Sequence, residues 1–262
     1  MSLNLDLSGR VAVVTGGTRG VGAGIARAFL QAGAEVVVCA RRPPDTPVAA
    51  DGRTARFHPL DLRQPADVRN FFGAVAADHG RLDCLVNNAG GTPYRLLGAT
   101  AAERHARVVE LNLTAPMTAS LAAYEVMRGQ PDGGSVIMIG SVSGTRPSPG
   151  TAAYGAAKAG LDHLARSMAV EWAPHVRVNT VVPGMVRTER SALHYGDEAG
   201  VAAVAATVPL GRLAEPAEIG AACVFLASVR AGYVSGASLL VHGGGERPAF
   251  LDAATVNHPE ES

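Results

Sequence analysis

The sequence predicts an α/β fold, an open and mostly parallel sheet of seven strands, doubly wound, with helices on both faces. Three observations predict it. Short apolar, β-branched runs alternate with segments of helical period from one end of the chain to the other. The first run ends in glycines, and a helix and a second run follow within about 30 residues, the spacing of a βαβ unit. No stretch of linker composition divides the alternation, so one domain is expected over residues 1–247, followed by a tail at 248–262.

Taken in order, residues 10–15 (Arg-Val-Ala-Val-Val-Thr) read as a buried parallel strand. Val21, Ile25, Ala28 and Phe29 recur with helical spacing and predict a helix over 20–33, closed by a glycine suited to a helix end. Residues 35–40 (Glu-Val-Val-Val-Cys-Ala) form the second strand. A short strand at 55–60 precedes a helix over 65–79 with Val68, Phe71, Phe72 and Val75 on one side, and 82–86 is the next strand. Helical period fills 101–127, with Val108, Leu111, Ala115, Leu121 and Tyr124 as core contacts and an interruption or joint near Asn112. A strand at 135–139, a long helix at 151–172, a strand at 176–182, a helix at 216–227 and a last strand at 238–241 complete the set. Residues 42–52 and those after 245 carry no pattern, and no internal repeat or low-complexity segment is present.

With 262 residues, 47% of them hydrophobic, the chain can bury a large core. Lys plus Arg and Asp plus Glu balance at 23 each, which argues against nucleic acid or an anionic membrane as partner and for a small neutral or amphiphilic one. The N-terminus lacks a basic region followed by an apolar core, and no run approaches about 18 apolar residues, so a soluble cytoplasmic protein is expected. Cys39, Cys84 and Cys223 are too scattered for a disulfide framework and read as core residues. The histidines show no His-x-x-x-His or Cys/His spacing, so no metal is expected.

Three features carry chemistry. Tyr154 and Lys158 are spaced i,i+4 and share a helix face, so the ammonium is placed to favour loss of the phenolic proton, ordinarily lost at a pKa of about 10. Ser141 closes the strand at 135–139, where a loop brings its hydroxyl back over that helix. The turn from Thr15 through Gly16, Gly17, Thr18, Arg19, Gly20, Val21 and Gly22 lets backbone approach a pyrophosphate at a helix N-terminus.

With this loop, Asn87-Asn88-Ala89-Gly90, Ser141 and Tyr154-x-x-x-Lys158 in view, the chain resembles the short-chain dehydrogenase/reductase family in its single-domain branch, over about residues 7–245. The resemblance implies a Rossmann-type fold, a nicotinamide cofactor, hydride transfer at a carbonyl or alcohol, and a homotetramer or dimer. It makes Tyr154 the general acid in reduction and base in oxidation. It gives Lys158 the nicotinamide ribose and the lowering of the Tyr154 pKa, and Ser141 a hydrogen bond to the substrate oxygen. Asn112 matches the family asparagine whose helix kink positions a water linking Lys158 to solvent; as a bare residue it reads as a helix breaker or cap. Asn88, Ala89 and Gly90 would line the cofactor, and Asn87 would be structural. Pro183, Gly184, Val186 and Thr188 resemble the segment shaping the nicotinamide pocket, with pro-S transfer implied. Asp61 and Leu62 match the pair that meets the adenine.

The second strand ends in Ala40-Arg41-Arg42 with no acid to accept from a ribose 2′-hydroxyl, and Arg19 lies in the glycine loop, which together predict NADP(H). Substrate contacts are expected from 91–97, from 142–150 and from 189–209, the last reading as a mobile lid or equally as a packed surface helix. Arg95 and Arg146 are candidates for an acidic or thioester-linked group. His242 stands where many relatives carry Asp, which bears on assembly. The function expected is NADP(H)-dependent interconversion of a ketone and a secondary alcohol, as a 3-oxoacyl-thioester reductase or as a dehydrogenase of bulky alicyclic or steroid-like alcohols. A non-catalytic NADP-binding sensor or scaffold on the same fold is the reading from another class, disfavoured by the presence of Tyr154, Lys158 and Ser141 together.

Overall fold

The structure, a computed structural model, describes residues 5–254. Its centre is a seven-stranded sheet of β1 (Val11–Thr15), β2 (Glu35–Ala40), β5 (Arg56–Pro59), β6 (Cys84–Asn87), β7 (Gly134–Ile139), β8 (Val176–Pro183) and β9 (Ser238–Val241). The strands lie in the order β5-β2-β1-β6-β7-β8-β9, and every neighbouring pair is parallel. The chain leaves β1 toward β2 on one side and returns to β6 on the other, so the crevice for a ligand opens beyond the C-terminal ends of β1 and β6.

Parallel strands need helical crossovers, and here these cover both faces. Helices α2 (Pro65–His79), α4 (Ala115–Met127) and α5 (Ala152–Glu171) pack on one face, against Val11, Val13, Val37, Leu85, Val136 and Met138. Helices α1 (Gly20–Gln31) and α8 (Pro216–Ala227) pack on the other, against Ala12, Val14, Val36, Val38, Ile137 and Ile139. Successive strand residues thus serve opposite cores, as the period of two requires. Full burial of a side chain such as Phe29 or Ile25 contributes on the order of 1.5–3 kcal/mol, so each face is held by many such contacts. At the far end of α5, Trp172 stacks on Tyr124 of α4, with ring centroids 4.5 Å apart and planes 16° apart. The N-terminal edge of the sheet is tied by Asp83, which accepts from Arg10, Arg81 and the Val11 N–H.

Several expectations are corrected in detail. The 101–127 segment is α3 (Ala102–Val109), a π-helical turn at Glu110–Thr114, and α4. Leu121 is not a core contact: it is 51% exposed, and the apolar side of α4 is formed by Ala115, Ala119, Ala122, Ala123 and Met127. The 42–54 region contains two-residue strands β3 (Ala49–Ala50) and β4 (Arg53–Thr54), joined antiparallel through Asp51 and Gly52, both at positive φ. Residues 189–209 hold α6 (Ala192–Tyr195) and α7 (Glu198–Ala206), with Val201 buried and Leu193 75% exposed. The tail forms α9 (Ala249–Ala253), and residues 255–262 lie outside the described part. The three cysteines are free and buried. No helix among the described residues is long and apolar enough to cross a membrane.

Candidate active site

Tyr154 and Lys158 stand in the first turns of α5, and the loop after β7 is laid directly on them. Two glycines allow this approach. A methyl on Gly144 would come within 2.8 Å of the Ala159 nitrogen and 2.9 Å of the Lys158 carbonyl carbon, and one on Gly155 within 2.6 Å of the Ser143 oxygen. The contact brings Ser141 to Tyr154. Ser141 Oγ accepts from the Ser143 N–H at 3.1 Å, which fixes its rotamer at the start of the turn Val142–Gly144.

Lys158 is buried, and its Nζ donates to the Ile139 carbonyl at 2.7 Å. Desolvation lowers its pKa to about 8. Its Nζ lies 5.5 Å from the Tyr154 ring centroid. The expected acidification of Tyr154 by this cation is not what the site shows. Burial of the phenol raises its pKa and outweighs the Ser141 hydrogen bond that acts the other way, and Tyr195 adds to the rise. At neutral pH the phenol is therefore a filled proton donor.

Asn112 sits in the π-turn, fully buried. Its Oδ1 accepts from the Gly91 N–H at 2.9 Å, and its Nδ2 donates to the Gly91 carbonyl at 3.0 Å and the Val108 carbonyl at 2.9 Å. The kink is where the sequence placed it, and the side chain clamps the strand-end loop of β6. A methyl on Gly90 would lie 2.5 Å from Asn112 Oδ1 and 3.5 Å from Lys158 Nζ, so these three residues meet at one point.

The glycine loop is held from β6. Asn88 Nδ2 donates to the Thr15 and Gly16 carbonyls, and Thr15 Oγ1 accepts from the Asn88 and Ala89 N–H groups. This role of Thr15 was invisible in the sequence. Asn87 donates to Ser120 Oγ and Met138 Sδ, in keeping with a structural part. Gly16 and Gly20 have φ of +63° and +52°, where a side chain is strained, and a methyl on Gly22 would lie 2.3 Å from the Gly16 oxygen. Helix α1 starts at Gly20 without a side-chain cap from Arg19, and Thr18 and Val21 flank this start half-buried. Its first-turn donors suit an anion, and the Glu189 carboxylate already accepts from the Gly20 N–H at 3.1 Å.

Glu189 follows Thr188, and Thr188 also touches the glycine loop, 3.6 Å from where a Gly20 methyl would stand. Pro183 ends β8, and Gly184 turns against His242, where a methyl would lie 2.9 Å from its Cβ. Arg187 N–H donates to the Ala214 carbonyl, and Ala214 N–H to the Met185 carbonyl, so the N–H and C=O of Val186 point away from Ala214. The segment 183–188 and the glycine loop, far apart in sequence, are thus brought together.

At the other end of the crevice, a cavity of about 570 Å³ is lined by Arg41, His58, Leu60, Asp61, Asp67 and Phe71, among others. Asp61 is gripped by Arg63, whose Nε and Nη2 donate at 2.9 and 2.6 Å and hold its carboxyl down at about 2. Sequence reasoning missed Arg63, although its place two residues after Asp61 was a readable signal. Leu62 is buried in the core, so its backbone alone is available to a ligand. Arg19, Arg41 and Arg42 are exposed, and none has an ion-pair partner among the described residues. Arg146, by contrast, is taken: its guanidinium pairs with Glu246 and donates to the Pro147 carbonyl, so it is not free to hold a substrate acid. Tyr195 lies within reach of that pair, its pKa raised by burial and by Glu246. Among the described residues no cluster of His, Cys, Asp and Glu is arranged to hold a metal ion.

The protein family whose model matches residues 16–246 is described as enoyl-(acyl carrier protein) reductase. The chain is 38% identical over 243 residues to the 3-oxoacyl-[acyl-carrier-protein] reductase of Vibrio cholerae, covering 92% of this chain and 98% of that one. Among solved structures, ligand-free aldohexose dehydrogenase of Thermoplasma acidophilum superposes with a TM-score of 0.86 at 27% identity, over 97% of this chain and 98% of that one. A putative short-chain alcohol dehydrogenase of Sinorhizobium meliloti gives 0.83 at 34% identity, over 92% and 98%.

Proposed function

The chain belongs to the short-chain dehydrogenase/reductase family of oxidoreductases, and from that premise we propose that it is an NADP(H)-dependent reductase of ketones to secondary alcohols. The observation that carries the reading is the half-buried, protonated Tyr154 beside Ser141 and Lys158. When bound, the nicotinamide supplies the hydride. Ser141 donates a hydrogen bond to the carbonyl oxygen as negative charge develops there, and Tyr154 gives that oxygen its proton. The phenolate left behind is stabilised by the Lys158 ammonium, whose own hydrogen bond to Ile139 fixes its direction. Two donors aimed at one oxygen suit a carbonyl better than a carbon–carbon double bond.

The residues present fit the cofactor. The cradle of Gly16, Gly20 and Gly22 admits a pyrophosphate at the start of α1, Asn88, Ala89 and Gly90 with Val186 and Thr188 flank the nicotinamide end, and Asp61 with the Leu62 backbone bounds the adenine end. Unpaired Arg19, Arg41 and Arg42 supply charge for a 2′-phosphate, and Ala40 at the end of β2 offers nothing to a free 2′-hydroxyl. Two outward apolar faces support a homotetramer of this cytoplasmic, single-domain enzyme. One is the sheet edge at β9, where Leu239 and Leu240 are exposed on alternate sides of the strand, and the other carries Leu121 and Val170 on α4 and α5. The 3-oxoacyl reductase relative favours an acyl substrate, and alicyclic alcohols are the second choice.

The test follows NADPH and NADH oxidation with 3-oxoacyl thioesters and cyclic ketones, in the wild type and in Tyr154→Phe. Turnover with NADPH, lost in Tyr154→Phe while cofactor binding persists, is the expected result. Equal or better affinity for NADH refutes the cofactor assignment, and unchanged turnover in Tyr154→Phe refutes the mechanism.

A further inference from the structure

Beside the reaction centre lies a second cavity, of about 360 Å³, between the loop at 92–95, α3 and the first turn of α5. Its charged lining is Arg95, Arg104 and Arg107, with His105 beside them, and no carboxylate lines it. None of the three guanidinium groups has an ion-pair partner among the described residues. Arg107 donates only to the Glu103 carbonyl of its own helix, and His105 faces the Leu97 carbonyl. The third wall adds donors. Ala152, Ala153 and Tyr154 line the cavity at the positive end of a 20-residue helix, and Thr151 gives no side-chain cap because its hydroxyl is turned to Ser148. Thr100, also on the wall, keeps its Oγ1 buried without a partner.

Arg95, Arg104 and Arg107 are exposed around one space, so a ligand that brings negative charge there is attracted by all three. Tyr154 is part of the wall, so that charge sits near the carbonyl being reduced and not at the end of a long arm. Pro93, Val108, Ala152 and Ala153 leave apolar surface between the donors for a short hydrocarbon. We propose that this cavity holds the carboxylate of the substrate, so that the enzyme acts on a short oxo acid and its hydroxy acid. The proposal rests on the reductase reading given above.

The test pairs levulinate with methyl levulinate, which differ in the charge. With NADPH, kcat/KM for the acid is expected roughly ten- to a hundredfold above the ester, the range of a charge-assisted hydrogen bond pair. Arg104→Met and Arg107→Met are expected to remove most of that preference, lowering the acid far more than the ester, and Arg104→Lys to restore part of it. Equal use of acid and ester, or variants that lower both alike, overturns the proposal. So does a preference for acetoacetyl phosphopantetheine over acetoacetyl pantetheine without discrimination for levulinate, which assigns the arginines to a remote phosphate. A change in oligomer size in Arg104→Met with the acid preference kept also overturns it, by assigning the arginines to a subunit contact. Calorimetric titration of levulinate into NADPH-loaded Tyr154→Phe separates the two readings. Binding abolished by Arg104→Met, with no ketone turned over by the wild type, keeps the carboxylate site and refutes the reductase. Turnover of neutral ketones without levulinate binding keeps the reductase and refutes the site.

Discussion

Asn112→Ala removes one acceptor and two donor bonds from a fully buried position and leaves the Gly91 backbone and the Val108 carbonyl without them. At about 1 kcal/mol for each bond the loss is about 3 kcal/mol, reduced to about 2–3 because Gly91 is exposed and water can take over part of it. For a chain of this size 1 kcal/mol moves the melting temperature by about 2–4 °C, so a fall of roughly 4–12 °C is expected. Thermal unfolding by circular dichroism reads it, and urea unfolding checks the free energy. Cofactor affinity should fall with it, since the clamped loop carries Gly90. Gly90→Ala, which in the wild type drives a methyl to 2.5 Å from Asn112 Oδ1, should cost less in the Asn112→Ala background. A melting temperature unmoved within about 2 °C together with collapsed turnover would show that the side chain serves the proton path alone, and the clamp argument would be wrong.

Gly144→Ala should lift the loop after β7 off α5 and carry Ser141 away from Tyr154, cutting kcat by roughly tenfold or more while NADPH affinity changes little; stopped-flow and binding titrations give both numbers. Glu189→Gln should tighten NADPH binding several-fold, because a charged carboxylate no longer holds the Gly20 N–H against the incoming pyrophosphate; weaker binding in fluorescence titration would contradict this. Arg41→Ala with Arg42→Ala should narrow the NADPH over NADH preference by roughly tenfold, read from the two dissociation constants. Asp83 is one contributor to acid stability. Burial would raise its pKa, but Arg81, Arg10 and the Val11 N–H outweigh it and hold the carboxyl below its usual value. Its contribution is therefore complete above the unfolded pKa of about 3.9 and is lost as pH falls through the lower folded value. Urea midpoints should drop below about pH 4 in the wild type and less steeply in Asp83→Asn.

The sheet was legible because each strand carries its own signal, a short β-branched run such as Val11–Thr15 or Gly134–Ile139, that owes nothing to distant residues. The burial of α4 was not. The π-turn at Glu110–Thr114 interrupts the helical count between α3 and α4, and even an unbroken helix carries Leu121 about 140° away from Val108, so the two do not share a face and Leu121 points outward. The β3–β4 pair is too short and polar to show a period, and α6 and α7 bury little beyond Val201. At the site, Tyr154, Lys158, Ser141 and the glycines were readable as local motifs. The Thr15 to Asn88 bonds, the Glu189 contact with Gly20 and the Arg146 pair with Glu246 join residues far apart in the chain, and no local pattern announces them.

Trp172 is the sole tryptophan of the chain, and its stack on Tyr124 joins α4 and α5 alone. It stands eighteen residues along the helix from Tyr154, about 27 Å at the helical rise, too far to be touched by events at the phenol. Indole emission is thus an optical gauge of one helical layer and is blind to α1 and α8 across the sheet. Far-ultraviolet dichroism weighs both layers together. Coincident melting curves from the two signals would mean that the layers come apart as one cooperative unit, and an earlier change in dichroism would mean that the layer of α1, which frames the glycine loop, loosens first.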